Sequence, residues 1–308
     1  DEFNKDGIAI VNQGGSMQEV FTGSPRMERI GGKYGLINEN KELLNNVWYG
    51  CVEKEFNQYS YGFQTGDFRV NIGGKEIVAP YLDENTHKKE IERLVGENRN
   101  MIKYKYKKVE GGKWGIIYRN GKEKCPPIYN HIGYFRDGIA PVNQGGNIGG
   151  IFLDYGYGFA VDCFGGKWGF IDNHGKEVCN CKYDSVEFLQ ECWAINIGGM
   201  QSAPFDEYGQ REIKTEGGKW GIINSEGKEI CPPKYDYIGV FRDGFALVNI
   251  GGYNKRPWGF QGGRWGIIDS HGREITPCVN VERPQLPEVK NSRYRDWDDD
   301  LMLMDEIL

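Results

Sequence analysis

Long apolar runs are missing from this chain: no stretch approaches the roughly 18 residues of a membrane-spanning helix, and the opening Asp1-Glu2-Phe3-Asn4-Lys5 is too polar to begin the core of a secretory signal. An excess of basic residues is missing too. With a formal net charge of −6 and a pI near 5.5, a nucleic-acid backbone is not expected as the main ligand. Catalytic signatures are absent: there is no Gly-x-Ser-x-Gly, no His-Glu-x-x-His, and no glycine loop followed by Lys-Ser/Thr and a helix. Histidine is scarce. His87, His131, His174 and His271 give no spaced ligand set, and the last two fall at equivalent turn tips where solvent is expected. Neither a metal nor a cofactor is implied.

What the chain has in excess is glycine, 45 of 308 residues, with hydrophobics at 39% and aromatics at 13%. The glycines keep no collagen triplet. They recur at turn positions, which points to a turn-rich all-β protein with enough apolar residues for a large core. One phrase is written five times: GGKYG at 31–35, GGKWG at 111–115, 165–169 and 217–221, and GGRWG at 262–266. Such a repeat marks a supersecondary unit that buries its apolar face against its neighbours.

A second phrase accompanies the first. Asp6 to Gly15 matches Asp137 to Gly146 and Asp243 to Gly252, with weaker copies at 66–74 and 191–199. The period of about 50–70 residues is that of one propeller blade or one large β-solenoid coil. In the copy from Gly217, Lys219 to Asn224 reads as a strand, Ser225 to Lys228 as a hairpin turn, and Glu229 to Cys231 as the returning strand stopped by Pro232-Pro233. Tyr235 to Phe241 is extended, Arg242-Asp243-Gly244 turns, and Phe245 to Asn249 alternates as a half-buried strand, giving about four strands per unit. Spacers of variable length, such as 147–164 and 200–216, read as extra hairpins. The longest, 75–110, carries a helix expected over about 83–100, then the Lys/Tyr strip Lys103 to Lys108. The chain starts with the second half of a unit and finishes, at 262–279, with the first half. Complementary halves let the two ends share one sheet, which favours a closed, propeller-like ring of five units over an open, solenoid-like stack of hairpins.

Most repeated polar residues have a structural reading beside any functional one. Asp6, Asp137 and Asp243, with Glu191 near the same place, could pair as carboxylates in a ring-shaped glycosidase; Asp-Gly as turn chemistry is preferred. The Asn at 12, 71, 143, 196 and 249 fits a side chain bonding the adjoining Gly-Gly turn. Trp114, Trp168, Trp220 and Trp265 fit packing between units. Cys125, Cys179 and Cys231 share one repeat position and Cys181 and Cys278 another, as small buried apolar residues would. Reduced thiols favour a cytoplasmic protein.

The pattern GGKWGII, then GKEICPPKYD, then FRDGFALVN resembles the bacterial WG-repeat (KWG-repeat) proteins across roughly residues 4–279. The resemblance implies tandem β-hairpin repeats and transfers no catalytic residue. Tyr34 in place of Trp and the inserted hairpins depart from the compact repeat. The chain divides into a five-unit repeat domain, 1–280, and a linker with an acidic-hydrophobic tail, 281–308. The expected activity is non-enzymatic: a scaffold that binds a protein partner through its inserted hairpins and tail. Candidate contacts are Tyr104, Tyr106, Arg136, Arg242, Trp258, Trp297, Asp298, Asp299 and Asp300. The Lys/Tyr strip could hold an anionic polymer, although Lys on an edge strand also guards against aggregation. The alternatives are a glycan-binding or glycan-hydrolysing repeat protein and an acidic inhibitor of a nucleic-acid-binding enzyme.

Overall fold

A computed structural model describes residues 2–21, 25–54, 67–80, 105–154, 158–202, 214–254 and 260–287. Twenty-four short strands form antiparallel sheets, and among the described residues there is a single 3-10 turn, Leu44–Asn46, and no α-helix. No helix there is long and apolar enough to cross a membrane. The helix expected over 83–100 lies outside the described residues.

Pairing differs in phase from the sequence repeat. The Asp-Gly strand pairs antiparallel with the GGKWG strand that follows it, the two Gly-Gly pairs facing each other across a neck. In the fifth unit β21 (Tyr237–Ile238), β22 (Phe245–Asn254), β23 (Phe260–Asp269) and β24 (Glu274–Asn280) make one sheet in that order. The fourth has β17 (Ser185–Phe188), β18 (Trp193–Ser202), β19 (Lys214–Ile223) and β20 (Glu229–Tyr235), and the third β11 (His131–Ile132), β12 (Ile139–Gln144), β15 (Lys167–Asp172) and β16 (Glu177–Tyr183). The second has β5 (Cys51–Lys54), β6 (Phe68–Ile72), β9 (Lys113–Ile117) and β10 (Glu123–Tyr129); the first is β1 (Ile8–Gln13) with β4 (Lys33–Asn38). Each sheet is therefore drawn from its own stretch of chain, four-stranded in the second to fifth units and two-stranded in the first. The two half-units expected at the ends do not exist, and no sheet joins β1 to β24 among the described residues.

Local chemistry explains the motif. Asn249 donates from Nδ2 to the Gly262 carbonyl at 3.0 Å while its Oδ1 accepts the Gly252 N–H at 3.0 Å, so one buried side chain ties both sides of the neck. Asn12, Asn71, Asn143 and Asn196 make the same pair of bonds. Asp137-Gly138 and Asp243-Gly244 all have positive φ, the turn chemistry expected of them. Pro232 and Pro233 do not stop β20, contrary to the sequence reading. The strand runs through them as a bulge, Trp220 facing Tyr235 and Ile222 facing Cys231, which an outer strand permits. The bulged backbone lies directly over the Gly of Trp-Gly: a Cβ at Gly115 would sit 2.6 Å from the Cys125 carbonyl oxygen.

Apolar cores lie between consecutive sheets. Ile8, Ile10 and Leu36 of the first meet Phe68 and Val70 of the second; Trp114 and Tyr129 meet Ile132 and Val142; Trp168 and Phe170 meet Trp193 and Ile195; Ile222 and Tyr235 meet Phe241 and Val248. Five sheets are thus joined by four cores among the described residues. Each fully buried large side chain contributes about 1.5–3 kcal/mol. Trp114, Trp168 and most of the cysteines are placed in these cores as expected, with Trp220, Cys181 and Cys278 only partly covered; Trp265 is buried instead against Tyr237 and Phe260 of its own sheet, and none of the eight cysteines forms a disulfide.

The cores are bordered by one recurring joint. Glu274 accepts from Lys234 Nζ (2.6 Å) and Tyr235 OH (2.9 Å) of the sheet before it. Glu229 accepts from Lys182 (2.7 Å) and Tyr183 (2.6 Å), and Glu177 from Tyr129 alone (3.4 Å). Beside the joint, Gly272 rests on the Ile230 backbone of the preceding sheet, where a Cβ would lie 2.5 Å from the carbonyl oxygen. At the two ends the joint is missing. Val279 and Asn280 stand where the fourth sheet has Lys234 and Tyr235, while Lys41 (φ 64°) and Leu43 stand where later sheets have the turn Gly and the Glu.

Candidate functional site

Beyond the necks the central hairpins continue as arms. In the fourth sheet the ladder runs on from Gly199↔Gly217 to Ser202↔Lys214, and in the fifth from Gly252↔Gly262 to Asn254↔Phe260. In the first two units the arms are β2 (Ser16–Phe21) with β3 (Pro25–Ile30) and β7 (Lys75–Pro80) with β8 (Lys105–Glu110), and in the third β13 (Asn147–Asp154) with β14 (Gly158–Phe164). Arms lean on the preceding unit. Gln201 accepts the Gly165 N–H at 3.2 Å, and Glu76, at the equivalent place, accepts the Gly31 N–H at 3.2 Å.

Glu76 also explains Tyr34. Its buried carboxylate takes the Tyr34 hydroxyl at 2.5 Å and the Cys51 thiol at 3.1 Å. Burial, then this carboxylate, holds the Tyr34 hydroxyl far above its ordinary pKa, so it remains a donor. The first two arms join edge to edge through Phe21↔Lys105 into the sheet β3-β2-β8-β7. Of the Lys/Tyr strip, residues 105–108 belong to β8, which pairs with β7 along its length and with β2 at Lys105, so at that residue it is not an edge.

On the arm side of the stack the fourth and fifth sheets expose apolar residues at equivalent places. Ile197 and Ile250 precede the neck glycines, and Met200 (74% exposed) and Tyr253 (59% exposed) follow them. Ile72 is exposed at the same position of the second sheet, where the first and third carry Gln13 and Gln144. Repeated Asn-Ile-Gly-Gly alternating with Asn-Gln-Gly-Gly was a sequence signal for a surface position, and it was missed because Ile there looks like core.

The opposite edge carries the turns. A cavity of about 340 Å³ opens between three units, lined by Asp137, Glu191, Cys192, Ser225, Ser270 and His271 among others. Neither Asp137 nor Glu191 forms an ion pair among the described residues. Burial raises the Asp137 carboxyl above the usual range, and burial with the nearby carboxylates pushes the Cys192 thiol up to about 12, which makes it a poor nucleophile. Asp6 and Asp243 sit at other turns and do not share this cavity. Two carboxyls, two hydroxyls and an imidazole can hold a small polar or cationic group. No residue set among the described ones could hold a metal ion.

The sequence-derived contact residues are not brought together. Arg136 and Arg242 lie at the Asp-Gly turns, Arg136 with its guanidinium 5.2 Å from the centre of the Phe188 ring. Tyr106 belongs to β8, with its side chain outside the described residues, as are Tyr104, Trp258, Trp297 and Asp298 to Asp300 altogether.

Comparison with known proteins agrees with this architecture. The family of the WG containing repeat matches residues 114–147, 168–191 and 220–253. A putative asparagine synthetase [glutamine-hydrolyzing] 1 of Methanocaldococcus jannaschii is 33% identical over 81 residues, which are 26% of this chain and 14% of that protein. The chain thus spans only a small part of that relative's length. No solved structure matches.

Proposed function

Taking as premise that the chain is a WG-repeat protein, we propose that it is a non-enzymatic scaffold, an open stack of five sheets, that binds a protein partner along its arm side. The observation that carries this reading is the row Ile197, Met200, Ile250 and Tyr253, exposed at equivalent positions of neighbouring sheets. Apolar side chains exposed side by side on a protein surface mark interaction sites. Openness is supported by the four cores between five sheets and by the end residues Leu43 and Asn280, which lack the joint's acceptor and donor. The C-terminal segment 288–308, with Trp297 and Asp298 to Asp300, is the second contact element of the reading.

Affinity capture from native lysate, with the intact chain and with M200D/Y253D, tests the proposal. A partner retained by the intact chain and lost by the variant, with unchanged circular dichroism, is the expected result. Equal retention would move the site off the arm side. A second reading, a glycan ligand on the turn edge, is favoured by the shared cavity of Asp137 and Glu191; a glycan array with the intact chain and Asp137→Asn separates it from the first.

A further inference from the structure

The stack is finished differently from the way it is built. In β20 the residues Ile230, Cys231 and Tyr235 are covered by the fifth sheet, whereas their counterparts in β24, Ile275, Thr276 and Asn280, have no sheet beyond them among the described residues. Ile275 is 47% exposed, Val279 63% and Val281 71%. Arg264, at the place where Lys219 pairs with Asp236 at 2.6 Å, has Val281 in the position of that Asp and forms no ion pair among the described residues. The end face therefore offers an apolar strip and an unpaired cation.

We infer that the C-terminal segment of this same chain, residues 296–308, seats on this end face, its Leu301-Met302-Leu303-Met304 run covering Ile275, Val279 and Val281 and its acids meeting Arg264. Three observations select this occupant. The described chain ends beside the face, with the Arg283 guanidinium 4.6 Å from the centre of the Trp265 ring, so the 21 residues after Pro287 start there. Residues 296–308 carry six acids and no base around those four apolar residues, the complement of what the face presents. A second copy stacked head to tail is disfavoured, because its first unit would bring Lys41 against the Ile275 backbone, where joints within the stack use Gly, and Leu43 where they use Glu. The surface is separate from Met200 and Tyr253 of the arm-side row, which stand or fall independently of it, whereas the segment seated here is withdrawn from the partner contact proposed above. Seated there, the segment covers the apolar side chains that in the earlier units the following sheet covers.

Hydrogen exchange of the β24 amides tests this in the intact chain, in a chain ending at Pro287, and in the full-length double variant L301D/L303D. Exchange of residues 274–280 is expected to rise at least about fivefold in both altered proteins, with β19 unchanged, and Val279→Asp in the intact chain should reproduce it. If truncation also loosens β19, the two full-length variants decide. Unchanged β24 exchange in the full-length variants overturns the inference. Protection of β24 that grows with protein concentration in the intact chain would assign the face to a second copy and overturn it equally.

Discussion

The strand that closes the second sheet reads Glu-Lys-Cys-Pro-Pro-Ile-Tyr, and the one that closes the fourth reads Glu-Ile-Cys-Pro-Pro-Lys-Tyr. Lys and Ile have exchanged places. In the fourth sheet Lys234 lies outside and bonds Glu274 of its neighbour, and Ile230 packs inward. In the second, Ile128 faces solvent and Lys124 is buried, 2.8 Å from Asp67, with side chains only 1% and 3% exposed. Asp67 stands where other sheets carry Ile8, Ile139, Cys192 and Phe245, so a buried ion pair has replaced an apolar contact. Exchanging the two residues thus yields a screened surface pair between sheets in the one case and a desolvated pair within a unit in the other. The first stabilises little and the second is intolerant of losing one member.

That contrast can be broken most forcefully at Asp67. Asp67→Ala leaves the Lys124 charge alone in the core, and urea unfolding should show a loss of about 3–5 kcal/mol. Converting the second sheet to the pattern of the fourth, with D67I/K124I together, should be neutral or gain about 1–4 kcal/mol. A double variant as unstable as Asp67→Ala would mean that the pair is required by its surroundings. Tyr235→Phe removes a charge-assisted bond to Glu274 and should cost about 1–2 kcal/mol in the same assay.

Acid should separate the joints as well. The Lys182 ammonium and Tyr183 hydroxyl hold Glu229 below its ordinary value of 4.5, and Lys234 and Tyr235 do the same for Glu274. A depressed carboxylate contributes stability that is fully present above the unfolded value near 4.5 and is lost as pH falls through the folded value. Exchange at β20 and β24 should therefore accelerate as pH drops below about 4.5, after correction for intrinsic rates, and Glu274→Gln should flatten the response at β24. The smallest effect belongs to Ile128→Lys, which restores the surface arrangement opposite Glu177 and should add no more than about 0.5 kcal/mol.

The repeat, the all-β class, the Asp-Gly turns and the Asn of each neck were legible because each is a local matter of residue type and spacing. The pairing phase was not. Two phrases that alternate can be grouped either way on paper, and only the ladder from Asn249↔Trp265 outward shows that the neck joins them within a sheet. Grouping them the other way suggested half-units at the ends that the ladders do not contain, while no sheet among the described residues closes the five units into a ring. The Pro-Pro pair misled for a related reason, since proline ends a central strand but is tolerated in an outer one that can bulge. Glu76 and the exposed Ile197 and Ile250 were hidden because their environment is set by neighbouring units, which spacing within one unit does not report. The turn-edge cavity drew its residues from three units and left no contiguous motif.

The joint that links Lys234 and Tyr235 to Glu274 has a bearing on how such a protein can change in length. A copy of one unit inserted between the third and fourth would find a Glu waiting for its Lys-Tyr pair and a Lys-Tyr pair waiting for its Glu. Added in front, it would meet Leu43; added behind, it would follow Asn280. A further unit is thereby accommodated more readily in the middle of the array than beside Leu43 or Asn280.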